Sequence, residues 1–265
     1  MGKVYLIGAG PGDPELVTVK AARLLARATI VLHDSLVSRE VLNLIPRTAE
    51  IIDVGKRCGQ KLLTQEEINA LLISYAASHD TVIRLKGGDP LVFGRAGEEI
   101  EALRRAVVPF EIVPGITAAI GAAAAAGISL TDRRAASQIV ITTYSRGSDR
   151  ATADPLAAPH LDWAAISNST TLVLYMPGAD YAEVARRLRE AGQPDDLPCA
   201  IVSSATTPQQ LIRWTTVGNL AGEAKLPAPA LLIVGRVATH EIQELATTHW
   251  RGETDKRHPK HTTIS

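Results

Sequence analysis

The sequence has few aromatic residues and no net charge. Aromatic side chains make up only 4% of the 265 residues, which argues against a surface that stacks on single-stranded nucleic acid bases. Lysine plus arginine (28) equals aspartate plus glutamate (28), so the basic excess typical of proteins that neutralise nucleic acid phosphates is missing. We therefore expect no nucleic acid partner. A small acidic ligand stays compatible with this composition, because it needs only a local group of arginines and lysines.

Cysteines and long apolar runs are scarce as well. Cys58 and Cys199 are far apart in the chain and have no metal-ligand spacing, so we expect two reduced thiols and no metal site. The apolar run 118–127 is shorter than the ~20 residues that a membrane-spanning helix needs. The amino terminus lacks the pattern of a signal peptide. These features predict a soluble, cytoplasmic protein without a membrane partner.

The first half of the chain alternates short apolar runs with helical patterns. Because the runs are apolar throughout, they are typical of strands in a parallel sheet covered on both faces. One helix start is marked by a capping box, Thr64-Gln-Glu-Glu67. The alternation predicts an α/β fold. The predicted strands are 4–7, 30–32, 51–54, 82–85 and 110–113, and the predicted helices are 18–28, 38–44, 64–77 and 97–106.

A second α/β series follows Pro114-Gly115, where we place a hinge between two α/β domains, residues 1–114 and 115–240. Residues 145–161 are predicted to form a long surface loop, and residues 241–265 a poorly ordered polar tail. The segment 210–215 has strand character and is a candidate for an antiparallel pair. The helix of this series is predicted at 117–126, and its strands at 138–142, 171–175, 200–203 and 231–234.

Three glycine-containing turns follow predicted strands. Glycine lets the backbone approach a ligand closely, and the carboxyl ends of parallel strands line the ligand crevice of an open α/β sheet. The first turn has Asp13 where a dinucleotide fingerprint requires glycine, and it is not a Walker loop. A purely structural role as tight strand-to-helix turns remains an alternative at this point. The three segments are Gly8-Ala9-Gly10-Pro11-Gly12-Asp13-Pro14, Lys86-Gly87-Gly88-Asp89-Pro90 and Pro114-Gly115-Ile116-Thr117-Ala118.

These motifs and their order resemble the tetrapyrrole methyltransferase family over about residues 4–237. The stretch Arg84-Leu85-Lys86-Gly87-Gly88-Asp89-Pro90-Leu91-Val92-Phe93-Gly94-Arg95, together with Asp34-Ser35-Leu36-Val37-Ser38 and Val54-Gly55-Lys56-Arg57, is similar to the branch that methylates uroporphyrinogen III. The resemblance implies two α/β domains with S-adenosyl-L-methionine in the crevice between them, S-adenosyl-L-homocysteine as a product, and a homodimer. The cofactor contacts that it implies fall on Pro11, Gly87, Gly88, Asp89, Val92, Thr117, Ala118, Met176 and Ala205.

The resemblance also implies C-methylation of uroporphyrinogen III to precorrin-2, in siroheme or cobalamin biosynthesis. It assigns acid/base roles to Asp34 and Lys56, which fits the loss of a proton from the macrocycle after methyl transfer. The carboxylate arms of this substrate call for arginines. The candidates for substrate binding are Arg57, Arg95, Arg133 and Arg146.

Some positions depart from the family pattern on the expected substrate side. The family commonly has arginine in place of Ser35, which suggests that a cation beside Asp34 is lost. It commonly has histidine in place of Asp132, and Thr-Gly-His in place of Thr142-Thr143-Tyr144. Three alternatives therefore stay open: methylation of a later corrin precursor, a non-catalytic tetrapyrrole- or cofactor-binding role, and methylation of ribosomal RNA, which the balanced charge disfavours.

Overall fold

A computed structural model of the chain shows an α/β protein with two five-stranded sheets. The strands of one sheet come from residues 3–113, and those of the other from residues 138–234. Residues 145–160 of the predicted loop and the whole predicted tail lie outside the residues that the structure describes. The structure describes residues 1–57, 60–61, 63–144, 161–178 and 181–239, and the side chains of residues 56, 57, 60 and 61 are not described.

The first sheet is parallel throughout and has the strand order β3-β2-β6-β1-β7. Its central strand pair, β6 and β1, runs in register from Lys3 beside Thr81 to Gly8 beside Lys86. All five carboxyl ends therefore lie at one edge, as predicted for this half. The strands are β1 (Lys3–Gly8), β2 (Ile30–His33), β3 (Glu50–Asp53), β6 (Thr81–Lys86) and β7 (Phe110–Val113); β4 (Lys56–Arg57) and β5 (Gln60–Lys61) form a separate antiparallel pair.

Helices cover both faces of the first sheet, which explains why its strands are mostly apolar. The side chains of Ile7 and Leu85 pack with α1 and α2 on one face, and those of Leu6 and Val82 pack with α3 and α4 on the other. The predicted capping box is present at the start of α3. The helices are α1 (Val19–Leu25), α2 (Arg39–Leu42), α3 (Gln65–Ser78) and α4 (Ala96–Arg105).

The second sheet has the order β11-β10-β12-β9-β8 and is mixed rather than largely parallel. Only β8 and β9 pair in parallel, whereas β12 lies antiparallel between β10 and β9. The candidate strand in 210–215 is present as β11, antiparallel to β10. The seven-residue connection between these two strands suffices for an antiparallel neighbour but is too short for a parallel crossover. The strands are β8 (Gln138–Thr143), β9 (Thr170–Tyr175), β10 (Pro198–Ser203), β11 (Leu211–Thr216) and β12 (Ala230–Val234).

Three helices complete the core of the second half. The alanine-rich α5 (Ala118–Ala125) packs on one face of the second sheet, and α6 (Tyr181–Glu190) and α7 (Val217–Leu220) pack on the other. The sequence analysis identified α5 but missed α6 and α7. The apolar residues of α6 recur at helical spacing, with Tyr181, Val184, Ala185 and Leu188 all buried, so the periodic signal was present in the sequence.

Candidate functional site

The three glycine turns converge at the carboxyl edge of the first sheet, where β6, β1 and β7 are neighbours. A Cβ atom added to Gly8 would lie 2.6 Å from the Cα of Gly115 and from the carbonyl oxygen of Gly88. A Cβ on Gly115 would lie only 2.3 Å from that same oxygen. Side chains at Gly8 or Gly115 would therefore push the turns apart, which explains the glycines at these two positions.

Hydrogen bonds fix two of these turns to each other and to the third. Gly88 N donates to the oxygen of Gly10 (2.8 Å), and Gly10 N donates to the oxygen of Gly88 (3.1 Å). The Asp89 carboxylate accepts from the backbone of Leu91 through Oδ1 (2.8 Å) and from Gly115 N through Oδ2 (2.9 Å). Asp89 thus holds the turn after β6 against the turn after β7. Because both of its oxygens are used in this way, the structure gives its side chain a turn-stabilising role.

Residues of the second half of the chain contact the first glycine turn. The ring of Pro11 lies where a side chain on Gly121 of α5 would be, with its Cβ 2.6 Å from the position of an added Cβ. The backbone N–H of Asp13 donates to Thr206 Oγ1 (3.3 Å). Ala205 lies between Ser204 and Thr206, which both have positive φ angles (47° and 64°). Strained backbone of this kind persists where the surrounding structure enforces it, often at ligand sites.

Tyr175 at the end of β9 fixes the amino end of α5 beside the glycine turns. Its hydroxyl accepts from Ala119 N (2.8 Å) and shares a 2.5 Å hydrogen bond with Thr117 Oγ1. Burial raises the pKa of Tyr175, so the phenol stays neutral at physiological pH. A Cβ on Gly88 would lie 3.6 Å from Ala118 N. The structure therefore brings together Gly88, Thr117 and Ala118, three of the predicted cofactor contacts.

Met176 follows Tyr175 and does not belong to the hydrophobic core. It is 46% exposed and has a φ angle of 48°. Phe93, also exposed, packs its ring 4.9 Å from that of Tyr175. On the other side of the turn after β6, Leu36 is exposed, and its Cβ would lie 3.1 Å from a Cβ on Gly87. Exposed apolar side chains thus flank the glycine turns, with Val92 in the loop that carries Phe93.

Asp34 directly follows β2 and ends a buried network of charges. Its Oδ1 accepts from Arg84 Nη2, and its Oδ2 lies 3.9 Å from Lys86 Nζ. Arg84 and Lys86 both donate to Oε1 of Glu99, which is fully buried on α4. Burial, together with the charge of Arg84, lowers the pKa of Lys86. Asp34 is the only one of these four side chains that reaches solvent, at 29% exposure.

This network corrects the expectation drawn from Ser35. Serine in place of the family's arginine at position 35 suggested that Asp34 lacks a neighbouring cation, whereas Arg84 contacts Asp34 directly. The adjacent Gly55 lies close to the backbone of Ser35, since a Cβ on Gly55 would lie 2.2 Å from Ser35 N. The segment leading to Lys56 and Arg57 therefore starts beside Asp34, although the side chains of Lys56 and Arg57 lie outside the described part of the structure.

The other predicted substrate-binding arginines are not all close to Asp34. Arg95 occupies the N-cap position of α4 with a φ angle of 56° and no side-chain cap hydrogen bond, and its Nε lies 2.7 Å from Glu98 Oε1. Arg133 lies at the amino ends of β8 and β9, the edge opposite to Tyr175, in an open hollow of about 380 Å³ that also contains Arg236. Arg146 lies outside the described residues. Arg133 is thus remote from Asp34 within one chain, and its role in substrate binding stays a prediction.

The site also contains four residues that the sequence did not mark as functional: Arg84, Lys86, Glu99 and Tyr175. Arg84, Lys86 and Glu99 were read as parts of an apolar strand, a glycine turn and a helix. Arginine in the middle of a central parallel strand departs from the apolar pattern, and this departure was the signal available. Tyr175 gave no comparable signal, because a tyrosine at a strand end is common in α/β cores.

The remaining predictions from the sequence concern the cysteines, metal binding and membrane-spanning helices. Cys199 is a buried free thiol whose pKa is raised to about 12 by burial; Cys58 is not among the described residues. Within the described part of the chain, no group of three His, Cys, Asp or Glu side chains could hold a metal ion. Among the described helices, none is long and apolar enough to cross a membrane.

The molecule is thus a two-sheet α/β protein in which three glycine turns of the first half adjoin the amino end of α5 in the second. Residues 3–221 match the family model described as tetrapyrrole (corrin/porphyrin) methylases. The chain belongs to this family, and the resemblance predicted from its motifs is confirmed.

Individual relatives agree with this assignment. The chain is 48% identical to the uroporphyrinogen-III C-methyltransferase of Paracoccus denitrificans, over 95% of this chain and 88% of that protein. It is 44% identical to the siroheme synthase of Neisseria meningitidis serogroup B, over 97% of this chain but only 52% of the relative. The chain therefore spans about half the length of that siroheme synthase.

A solved structure has the same fold. It is the uroporphyrin-III C-methyl transferase from Thermus thermophilus complexed with S-adenyl homocysteine, which matches with a TM-score of 0.75 and 38% identity. The match covers 89% of this chain and 93% of that chain. The predicted α/β fold is therefore confirmed.

Proposed function

We propose that this protein is an S-adenosyl-L-methionine-dependent methyltransferase that methylates uroporphyrinogen III to precorrin-2, a step towards siroheme and cobalamin-type tetrapyrroles. The observation that carries the proposal is the convergence of three glycine turns with the amino end of α5, next to a carboxylate at the end of β2. The names of the Paracoccus and Thermus relatives support the same substrate and cofactor.

The residues of the crevice fit the cofactor. Gly88 has a φ angle of 66°, and a Cβ placed there would lie in ordinary van der Waals contact with Ala118 N, at 3.6 Å, so this turn directly adjoins the amino end of α5. At the start of α5, Ala119 N donates to Tyr175 and Ile120 N to the oxygen of Thr117; the N–H of Ala118, the first residue of the helix, is the one proposed to meet a polar edge of the ligand. Met176 offers a soft apolar surface. Pro11, Gly87, Gly88, Asp89, Val92, Thr117, Ala118, Met176 and Ala205 remain the proposed cofactor-binding residues.

The apolar side chains around the turns suit a flat macrocycle. Leu36, Leu91, Phe93 and Met176 are exposed, and such side chains beside a polar crevice are typical of a ligand site. Arg57 and Arg95 are the proposed partners for carboxylate arms, since Gly55 adjoins Ser35 and Arg95 follows the loop of Phe93. Arg133 and Arg146 also stay proposed substrate-binding residues; Arg133 lies at the opposite edge of the second sheet, and Arg146 is not among the described residues.

The bound cofactor supplies an electrophilic methyl group on a sulfonium. The protein's part is to align the ring carbon with that methyl group and to exclude water. After transfer, the macrocycle must lose a proton. Asp34 is the proposed acceptor, because one of its carboxylate oxygens is held by Arg84 while the side chain remains partly exposed. Lys56 is the proposed proton donor.

A direct assay tests this function and separates it from its alternatives. The protein is incubated with S-adenosyl-L-methionine and enzymatically prepared uroporphyrinogen III, and the products are weighed by mass spectrometry, with Asp34→Asn as the matched control. We expect a product with added methyl groups from the wild type and far less from the variant. Binding of both ligands without any methylated product would favour a non-catalytic role. Methylation of a later corrin precursor but not of uroporphyrinogen III would favour the other branch of the family.

Assembly, location and domain organisation are further parts of the proposal. The family resemblance implies a homodimer, and the sequence implies a cytoplasmic protein with domains 1–114 and 115–240. Light scattering on the purified protein measures the molecular mass in solution, and a mass near the 28.2 kDa of one chain would contradict the dimer.

A further inference from the structure

The charges beneath Asp34 are placed where apolar side chains would be the usual choice. Arg84 and Lys86 alternate along β6 on the face that turns Val82 towards α3 and α4. Both cations are nearly fully buried, with side-chain exposures of 2%. Removing two cations from water is costly, and apolar replacements of a buried ion pair are often neutral or stabilising. A role in stability alone therefore explains this network poorly.

The geometry of the network is directed at one atom group, the Asp34 carboxylate. Every nitrogen of the Arg84 guanidinium has an acceptor: Nε donates to Glu99 Oε1 (3.0 Å), Nη1 to the oxygens of Leu32 (3.4 Å) and Leu85 (3.3 Å), and Nη2 to Asp34 Oδ1. The two backbone acceptors belong to β2 and β6, so the sheet itself fixes the guanidinium plane. A planar fork of this kind orients a carboxylate more closely than an ammonium can.

Glu99 links the Arg84 guanidinium to Lys86 on the buried side of the network. Glu99 Oε1 accepts from Arg84, from Lys86 Nζ (2.9 Å) and from Gln65 Nε2 (3.3 Å). The other oxygen, Oε2, is buried without a hydrogen-bond partner. Two cations and two carboxylates balance one another within this group. Its only partly exposed member is Asp34, directly after the carboxyl end of β2.

We propose that Arg84, supported by Lys86 and Glu99, is a positioning residue that aims the Asp34 carboxylate at the tetrapyrrole. The inference rests on the proposed function, in which Asp34 accepts a proton. Arg84 acts through Asp34 and contacts neither the cofactor nor the substrate. Its removal should therefore slow the chemical step and leave cofactor affinity unchanged.

The test is a double-mutant cycle on single-turnover methyl transfer, because coupling between two residues appears as non-additivity. Arg84→Lys keeps the charge but cannot reach Glu99 and Asp34 together. We expect it to slow methyl transfer about ten- to a hundredfold, as for a misplaced reactive group. Its affinity for S-adenosyl-L-homocysteine should stay within about twofold of the wild-type value. In the Asp34→Asn background the same substitution should change the rate by less than about twofold.

Controls separate the possible failures. Arg105→Lys, an exposed pair with Glu101 on the same helix as Glu99, should change nothing in either background. Glu99→Gln, run through the same cycle, serves if Arg84→Lys does not fold. Equal rate losses in the two Asp34 backgrounds would overturn the positioning role, since a general structural defect acts independently of Asp34. Failure of the wild type to methylate uroporphyrinogen III would instead refute the proposed function, which is measured first.

Discussion

Gly88 offers the sharpest test of where the cofactor binds. Its φ angle of 66° lies in the left-handed region, which a residue with a side chain adopts at a cost of about 1–2 kcal/mol. An added Cβ would meet Ala118 N at 3.6 Å and Thr117 Cα at 3.8 Å, both ordinary contacts. Substitution therefore strains the backbone mildly and does not prevent folding. For a domain of this size the strain should lower Tm by about 2–8 °C.

The effect on ligand binding should be much larger than this strain. The γ carbons of valine extend about 1.5 Å beyond Cβ, at the junction of this turn with the amino end of α5, where the cofactor is proposed to bind. We expect Gly88→Val to weaken S-adenosyl-L-homocysteine binding at least about a hundredfold, equivalent to about 2.7 kcal/mol. Gly88→Ala, which adds one carbon atom and strains this backbone less than β-branched valine does, should lose less. Titration calorimetry on the folded variants measures both affinities.

A matched control and a clear refutation are available. Gly97 lies in α4, and a Cβ on it would meet nothing within 4 Å, so Gly97→Ala should bind the ligand like the wild type. If folded Gly88→Val binds S-adenosyl-L-homocysteine within about threefold of wild type, the cofactor does not bind against Gly88 and the amino end of α5. Equal losses for alanine and valine would attribute the effect to backbone strain instead of occupied space.

Three further predictions concern single substitutions at Asp34, Arg57 and Gly97. Asp34→Asn should lower turnover by ~10²–10⁴ with unchanged affinity for S-adenosyl-L-homocysteine; transfer of the first methyl group at the wild-type rate in single-turnover experiments would exclude Asp34 as the base. Arg57→Ala should raise KM for the tetrapyrrole about ten- to a hundredfold, the effect of losing a charge-assisted bond of about 1.5–3 kcal/mol, while KM for the cofactor stays constant; equal changes in both constants would indicate a structural residue. Gly97→Ala should stabilise the protein by about 0.5–1 kcal/mol, because glycine is the poorer helix former; denaturant unfolding measures this, and a lower midpoint would mean that the site is less open than described.

Much of the fold and of the cofactor crevice could be predicted from local sequence patterns. Continuous apolar runs and the Thr64 capping box depend on neighbouring residues, so they identified the parallel strands of the first sheet and the start of α3. The three glycine turns were recognisable for the same reason, and the resemblance assigned Gly88, Thr117 and Ala118 to one site. The direction of strands in the second sheet was not predictable in this way, because pairing between β12 and β9 joins distant segments.

Which charged side chains surround Asp34 was decided by tertiary structure alone. Arg84 lies 50 residues from Asp34 in the chain, and Glu99 is 15 residues from Arg84, so no local pattern links them. The absence of the family's arginine at Ser35 suggested an unpaired carboxylate, whereas the sheet brings the cation of a neighbouring strand to it. The sequence determined which side chains could carry the chemistry. The packing of β2, β6 and α4 decided which of them meet, because a buried charge is tolerated only where the fold places opposite charges and hydrogen-bond partners beside it.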